Sequence, residues 1–120
     1  MINGIPSILI IDHEQNLCWV VQRILEREGY LCRIAKDGAS ALDLICASQP
    51  DIALVDLMLP DMSGQELCRR IRDISDCRII YFSSVADLKL AGPIDKITNG
   101  FINKPASMKR IVHAVGNALK

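Results

Sequence analysis

Ile52 to Val55 are four apolar residues in a row, without the polar alternation of a half-exposed strand, and the run ends on a carboxylate, Asp56. Such a run belongs to a strand buried on both faces, the habit of parallel sheets. A loop follows at once and carries Pro60-Asp61-Met62-Ser63-Gly64. From this stretch alone two readings of Asp56 stay open. It starts a turn, as Asp often does after a strand. Or it stands at the carboxyl end of the strand, where open α/β folds place their chemistry.

The same alternation of apolar run, polar end and helical stretch fills the rest of the chain. Ser7 to Ile11 reads as a first buried strand, followed by Asp12, His13 and Glu14. Leu17, Val20, Val21, Ile24 and Leu25 then fall on one helical stripe facing inward, and Gly29 closes that helix. Trp19 lies roughly opposite the stripe, a hint of a contact surface. Tyr30 to Ala35 is a shorter, less apolar strand, as suits a sheet edge. Asp37-Gly38 makes a turn, and a helix with Ala41, Leu42 and Ile45 inward runs to the stop at Pro50. Beyond Gly64, a third helix is traced by Leu67, Cys68 and Ile71, and Arg78 to Phe82 is a fourth strand leading into Ser83 and Ser84.

Ser84-Val85-Ala86-Asp87 matches a capping box, so a helix is expected to start there. Gly92-Pro93 should stop it after roughly two turns. Irregular backbone is expected from Ile94 to Asn99, with raised mobility between Leu90 and Thr98. Gly100 to Asn103 is a short strand leading into Lys104-Pro105. The last helix is capped by Ser107 and turns Met108, Ile111, Val112, Val115, Ala118 and Leu119 inward, leaving His113 on the solvated side.

The order is β-α, five times. Right-handed crossovers then impose an α/β, three-layer, doubly wound parallel sheet with helices on both faces. The 120 residues fit one domain, 1–120. With 4% aromatic residues its core must be aliphatic. Lys and Arg number 14, as do Asp and Glu, so no global charge draws the chain to nucleic acid or membrane. Arg69, Arg70 and Arg72 read as a solvated helix face. The five cysteines, Cys18, Cys32, Cys46, Cys68 and Cys77, have no C-x-x-C spacing or neighbouring His to make a zinc set. An odd count suits buried thiols in a reducing cytosol. No run approaches the ~18 apolar residues of a membrane span, and Met1 to Pro6 lacks the features of a secretory signal. A soluble, cytoplasmic protein is expected.

Polar groups stand at the carboxyl ends of four strands: Asp12, His13 and Glu14; Asp56; Ser83 and Ser84; Lys104. In a parallel sheet these ends converge on one cleft. Carboxylates held close together repel, and ionising all of them requires a cation. A hard, oxygen-liganded ion such as Mg²⁺ is the natural counter-charge. A lysine adds a point charge for a phosphoryl oxygen, and a serine hydroxyl can donate to another. Together these groups describe a site for carrying a phosphoryl group on a carboxylate.

Here the sequence resembles the receiver domains of two-component response regulators, over essentially its whole length. The resemblance rests on Ile8-Leu9-Ile10-Ile11-Asp12 with the following Glu14, on Asp56-Leu57-Met58-Leu59-Pro60-Asp61-Met62-Ser63-Gly64, on Ser83, and on Phe101-Ile102-Asn103-Lys104-Pro105. It implies a flavodoxin-like sheet in the order 2-1-3-4-5. It implies Asp56 as phosphoacceptor, fed by a sensor histidine kinase or phosphotransfer protein, and Lys104 as partner of the phosphoryl group. Ser83 is implied as the hydroxyl that moves on activation, Phe101 as the aromatic switch, and a cis Lys104-Pro105 bond is common in such domains. The implied metal ligands are Asp12, Asp56 and the Met58 carbonyl, with Mg²⁺ as the ion. The chain would then be a signalling phosphoprotein that catalyses its own phosphoryl transfer and hydrolysis. It would signal to a downstream effector protein or to an output domain beyond Lys120.

Two departures stand out. The family has two adjacent acids after the first strand, whereas this chain has Asp12-His13, and His13 falls at the position of a direct metal ligand. Imidazole is a poor ligand for Mg²⁺ and a better one for transition metals. Three outcomes are open: weakened metal binding, takeover by Asp12 or Glu14, or preference for Mn²⁺ or another softer ion. The second departure is a fourth helix expected to be short or irregular. A competing hypothesis follows from the first, a receiver-like binding module that no longer switches by phosphate. A redox or hydrolytic enzyme lacks support, with no G-x-G-x-x-G, P-loop, C-x-x-C or nucleophile elbow in the chain.

Overall fold

The computed structural model describes residues 1–91 and 99–120. Among them, strands and helices alternate as β1 (Ser7–Ile11), α1 (Gln15–Arg27), β2 (Leu31–Ala35), α2 (Gly38–Ala47), β3 (Ile52–Val55), α3 (Gly64–Ile74), β4 (Arg78–Ser83), α4 (Val85–Ala91), β5 (Phe101–Asn103) and α5 (Met108–Ala118). The strands form a five-stranded sheet in the order β2-β1-β3-β4-β5, and every neighbouring pair is parallel. The expected doubly wound architecture is therefore present, and Lys104-Pro105 is cis.

The unbroken apolar runs have a direct cause in this sheet. Successive strand side chains point to opposite faces, and here both faces are covered. Ile8, Ile10, Ile52, Leu54, Ile80, Phe82 and Ile102 enter the core shared with Val21 and Leu25 of α1 and Ile111 and Val115 of α5. Leu9, Ile11, Ala53, Val55, Ile79 and Tyr81 enter the core shared with Ala41 and Ile45 of α2 and Leu67 and Ile71 of α3. Burying one such large apolar side chain contributes roughly 1.5–3 kcal/mol, so a polar residue at any of these positions would be selected against from either side. β2 is an edge strand, and its half-exposed pattern follows from pairing only with β1.

The helix ends are specified locally. Asp37, Ser63 and Ser107 cap α2, α3 and α5 by accepting from the amides of Ser40, Glu66 and Arg110. At the end of α1, Gly29 has φ +92°, its N–H donates to the Glu26 carbonyl, and the Tyr30 N–H donates to the Leu25 carbonyl. This is a Schellman closure, which needs the left-handed backbone that glycine adopts without strain. Ser84 Oγ accepts from the Asp87 N–H as the capping box requires. The expected stop at Gly92-Pro93, the irregular backbone from Ile94, the mobile segment up to Thr98 and hence the length of α4 lie outside the described residues. Asn99 is described, and it pairs with β4, its N–H on the Ile79 carbonyl and its Oδ1 accepting from the Ile79 N–H.

Four expectations are corrected. Val20 does not face the core but is 55% exposed. α1 meets the sheet through Cys18, Val21 and Leu25, and the flank bearing Leu17, Val20 and Ile24 instead lines an open cleft against Ala106 and Ile111. Met108 is equally exposed, because it is the first residue of α5 and its turn lies past the end of the three-residue β5. Cys46 is exposed rather than buried. Arg72 leaves the solvated face and donates to the carbonyls of Ser75 and Cys77, while Arg69 and Arg70 both pair with Glu66.

Gly64 marks where the loop after β3 returns to its strand. Its N–H donates to the Leu57 carbonyl at 2.8 Å, and Met58 bridges Ser63. A Cβ here would stand 2.3 Å from the Asp56 carbonyl oxygen and 2.8 Å from Leu57 Cα, both backbone atoms. Gly64→Ala is therefore expected to lower stability by roughly 1–3 kcal/mol, the usual cost of overpacking. A reduced urea midpoint checks this; an unchanged midpoint would show that the loop can yield.

Candidate functional site

The register of the sheet assembles the site. Ile11 is opposite Val55, so the next residues on β1 and β3, Asp12 and Asp56, emerge side by side at the carboxyl edge. Their backbones continue the ladder, with the Asp12 N–H on the Ala35 carbonyl and the Asp56 N–H on the Ile11 carbonyl. Ser83 ends β4, and the Lys104 N–H donates to the Ser83 carbonyl just past β5. Asp12, Asp56 and Ser83 are all at least 97% buried.

Lys104 closes the charge balance. Its Nζ is 2.6 Å from Asp12 Oδ2, 3.5 Å from Asp56 Oδ2 and 4.0 Å from Glu14 Oε1, and it lies 5.3 Å from the centre of the Phe82 ring. Burial works against the ammonium, but its hydrogen bond to Asp12 and the charges of Asp12, Asp56 and Glu14 outweigh that, and its pKa is raised. Lys104 is thus a firm cation. For Asp56 the balance goes the other way. Burial first, and then the charge of Asp12, push its carboxyl above the ordinary value, and Lys104, the Met58 N–H and the Ser83 hydroxyl compensate only in part.

The two oxygens of Asp56 differ. Oδ1 accepts from the Ser83 hydroxyl at 3.0 Å and from the Met58 N–H at 3.2 Å. Oδ2 receives neither and faces two basic groups, Lys104 and, at 3.5 Å, His13 Nδ1. Asp12 is divided likewise, Oδ2 on Lys104 and Oδ1 accepting from the Glu14 N–H at 2.9 Å, with His13 Nδ1 3.9 Å away. One ligand atom each from Asp12, His13 and Asp56 lie within 4.8 Å of one another. The resemblance to receivers implies Mg²⁺ in this pocket. The paired carboxylates fit a hard divalent ion, but an imidazole nitrogen in the third place does not suit magnesium.

Asp12, Asp56, Ser83, Lys104 and His13 are therefore brought together, with Glu14 at the rim. Met58 contributes its N–H to Asp56, and its side chain is exposed. Phe101 lies three residues before Lys104 on β5, half-buried against the α2 and α3 side of the sheet and opposite Tyr81. Three contacts are absent from the sequence argument. Asp87 Oδ2 stands 3.3 Å from Ser83 Oγ, so a hydroxyl with one hydrogen faces two carboxylates. Asp61 Oδ1 and Oδ2 accept from the Gly38 and Ala39 amides at 2.9 Å, which ties the loop after Asp56 to the start of α2. Those two bonds hold the Asp61 carboxyl below its ordinary pKa. Cys18 Sγ donates to the Asp12 carbonyl, and burial, with the charge of Asp12, pushes the thiol up to about 11. In the sequence, Asp87 and Asp61 signal only as a capping-box acid and a loop acid; the partner of Asp87 is four residues back at the end of β4, and those of Asp61 are more than twenty residues away.

The profile of the response regulator receiver domain matches residues 8–116. The chain belongs to that family. It is 33% identical over 121 residues to the transcriptional regulatory protein CseB of Streptomyces coelicolor, covering 91% of this receiver and 52% of that protein. It is 34% identical over 116 residues to the response regulator ArlR of Staphylococcus saprophyticus, covering 95% and 52%. The receiver thus spans about half the length of these relatives. Among solved structures, a CheY-like receiver domain protein of Methanospirillum hungatei superposes with a TM-score of 0.84 at 26% identity, covering 97% of this chain and 94% of that one. Receivers are signalling modules, and among the described residues no helix is long and apolar enough to cross a membrane.

The raised Asp56 pKa has a consequence for stability. A carboxyl raised in the fold contributes stability that is fully present below its ordinary value of 3.8 and is lost as pH rises through the raised value. Asp56→Asn has no such loss. The stability of this variant relative to the native chain is expected to grow as pH rises from about 3.5 toward neutrality. Urea midpoints measured across that range check it; a constant difference would contradict it.

Proposed function

We propose that this receiver takes a phosphoryl group on Asp56 from a phosphohistidine of a sensor histidine kinase or phosphotransfer protein. The observation that carries the proposal is the asymmetry of Asp56. Oδ1 is held by the Met58 N–H and the Ser83 hydroxyl while Oδ2 is turned toward Lys104, which leaves one oxygen oriented for attack and the other fixed.

In the transfer step Asp56 Oδ2 forms a bond to phosphorus as the phosphorus–nitrogen bond of the donor breaks, and the departing imidazole takes up a proton. Lys104 lies close enough to leave its ion pair with Oδ2 and follow the charge onto a phosphoryl oxygen. Ser83, released from Oδ1, donates its hydroxyl to another. Movement of Ser83 draws on the end of β4, beside which β5 carries Phe101, the proposed aromatic switch. A divalent cation held by Asp12, Asp56 and the Met58 carbonyl would supply charge neutralisation at the phosphoryl oxygens. Water attack on phosphorus later returns Asp56 and inorganic phosphate, so the module resets itself. The output passes to an effector protein or to a following output domain, in keeping with relatives of about twice this length.

A second reading, a receiver-like binding module without phosphate switching, draws on the His13 ring at 3.5 Å from Asp56 Oδ2, where the family has an acid. One experiment separates the two. The chain is incubated with acetyl phosphate and Mg²⁺ or Mn²⁺, and its mass is measured. The expected result is the gain of one phosphoryl group, abolished in Asp56→Asn. No gain with any divalent ion would sink the first reading.

A further inference from the structure

We propose that His13 is a metal ligand and that it turns this cleft from a magnesium site into one preferring a first-row transition-metal ion that accepts imidazole, such as Mn²⁺, Co²⁺ or Ni²⁺. The inference rests on the same cleft as the phosphoacceptor proposal, but it concerns the ion rather than the phosphoryl group.

The geometry points to ligation. His13 Nδ1 is 3.9 Å from Asp12 Oδ1 and 3.5 Å from Asp56 Oδ2. Ligands held about 2.1 Å from a six-coordinate ion stand roughly 3 Å apart when adjacent and roughly 4.2 Å apart when opposite. Both separations from the ring nitrogen fall between these limits, and one ligand atom from each of the three residues lies within 4.8 Å of the others, so side-chain rotations can bring all three onto one ion. The ring faces Asp12 Oδ1, which accepts one N–H from Glu14, and Asp56 Oδ2, which lies 3.5 Å from Lys104 Nζ; a carboxylate oxygen has a second lone pair that can be given to an ion. Among the described residues the ring makes no hydrogen bond of its own, and its side chain is 48% exposed, so an ion can enter from solvent.

The chemistry of the donor set then selects the ion. Magnesium demands oxygen ligands in near-ideal octahedral array and gives up its water reluctantly. One nitrogen and two carboxylate oxygens suit the first-row transition ions, whose affinity for such mixed sets rises from Mn²⁺ through Co²⁺ to Ni²⁺. These ions outbind magnesium at most mixed sites, so the deciding quantity is the change in selectivity when the nitrogen is replaced by the acid that the family carries there.

The test uses the metal alone, without phosphodonor. Co²⁺ and Mg²⁺ are titrated calorimetrically into the native chain, His13→Asp, His13→Ala, and His113→Ala as a control for the other histidine. Quenching by Co²⁺ of Trp19, the single tryptophan, reports locally, because Trp19 lines the same hollow as Asp12 and His13. Loss of a ligand of this kind is expected to weaken Co²⁺ by at least about tenfold in His13→Ala. His13→Asp should lower the Co²⁺-to-Mg²⁺ preference by a similar factor, and His113→Ala should change neither. Nitrogen hyperfine coupling on bound Mn²⁺, lost in His13→Ala, would establish the bond directly. Unchanged Co²⁺ affinity in His13→Ala, or Mn²⁺ bound without nitrogen coupling in the native chain, would overturn the proposal. Co²⁺ bound through His13 in a chain that takes no phosphoryl group would uphold it while removing the phosphoacceptor reading. Phosphoryl uptake with no nitrogen on the metal would do the reverse.

Discussion

Two carboxylates that the sheet forces together, Asp12 and Asp56, set the terms for everything around them. Both are almost wholly buried, one residue beyond paired strands, and the charge of Asp12 disfavours that of Asp56. A buried pair of like charges is tolerated only with compensating cations and hydrogen bonds. The structure supplies Lys104 from beyond β5, an N–H each from Glu14 and Met58, and a hydroxyl from the end of β4. Each donor comes from a different strand end, so the site exists only when the whole parallel sheet is in register.

The compensation is incomplete, and the incompleteness is informative. Burial and Asp12 still hold Asp56 above its ordinary pKa despite three favourable partners. A carboxylate in this condition favours any change that spreads its charge, whether a bound cation or a bond to an electrophile, and the fold bears the resulting loss of stability. The scaffold around it is correspondingly stiff. Gly64 lets the loop approach within contact of the Asp56 backbone, and Asp61 pins the same loop to the start of α2. The Ser83 hydroxyl stands between Asp56 and Asp87 with a single proton to give.

Much of this was legible in the chain. The unbroken runs of β1, β3 and β4 announced strands buried twice, and the polar residues directly after them marked one edge as chemical. Asp12, Asp56, Ser83 and Lys104 are expected at that edge from the sequence, and the fold brings the four side chains together. The errors share a cause. Val20 and Met108 sit at positions where periodicity points inward, but a helix buries a flank only where neighbouring surface extends far enough to meet it. Arg72 belongs to a basic cluster by sequence, yet two carbonyls past the end of α3 turn it aside. The pairing of Asp61 with Gly38 depends on where the loop after β3 falls in space, which no local pattern carries.

The sequence by itself determined the alternation of elements, the two-sided burial of the sheet and the set of groups at its carboxyl edge, because hydrophobic period and chain order act locally and crossovers have one hand. Only the tertiary structure decided which oxygen of Asp56 takes the Ser83 and Met58 hydrogen bonds and which faces Lys104, that Lys104 bonds Asp12 more closely than Asp56, and that His13 turns its Nδ1 toward both carboxylates. Those outcomes depend on separations of a few ångströms between residues as much as 92 positions apart, and such separations are fixed by sheet register and loop packing rather than by residue type.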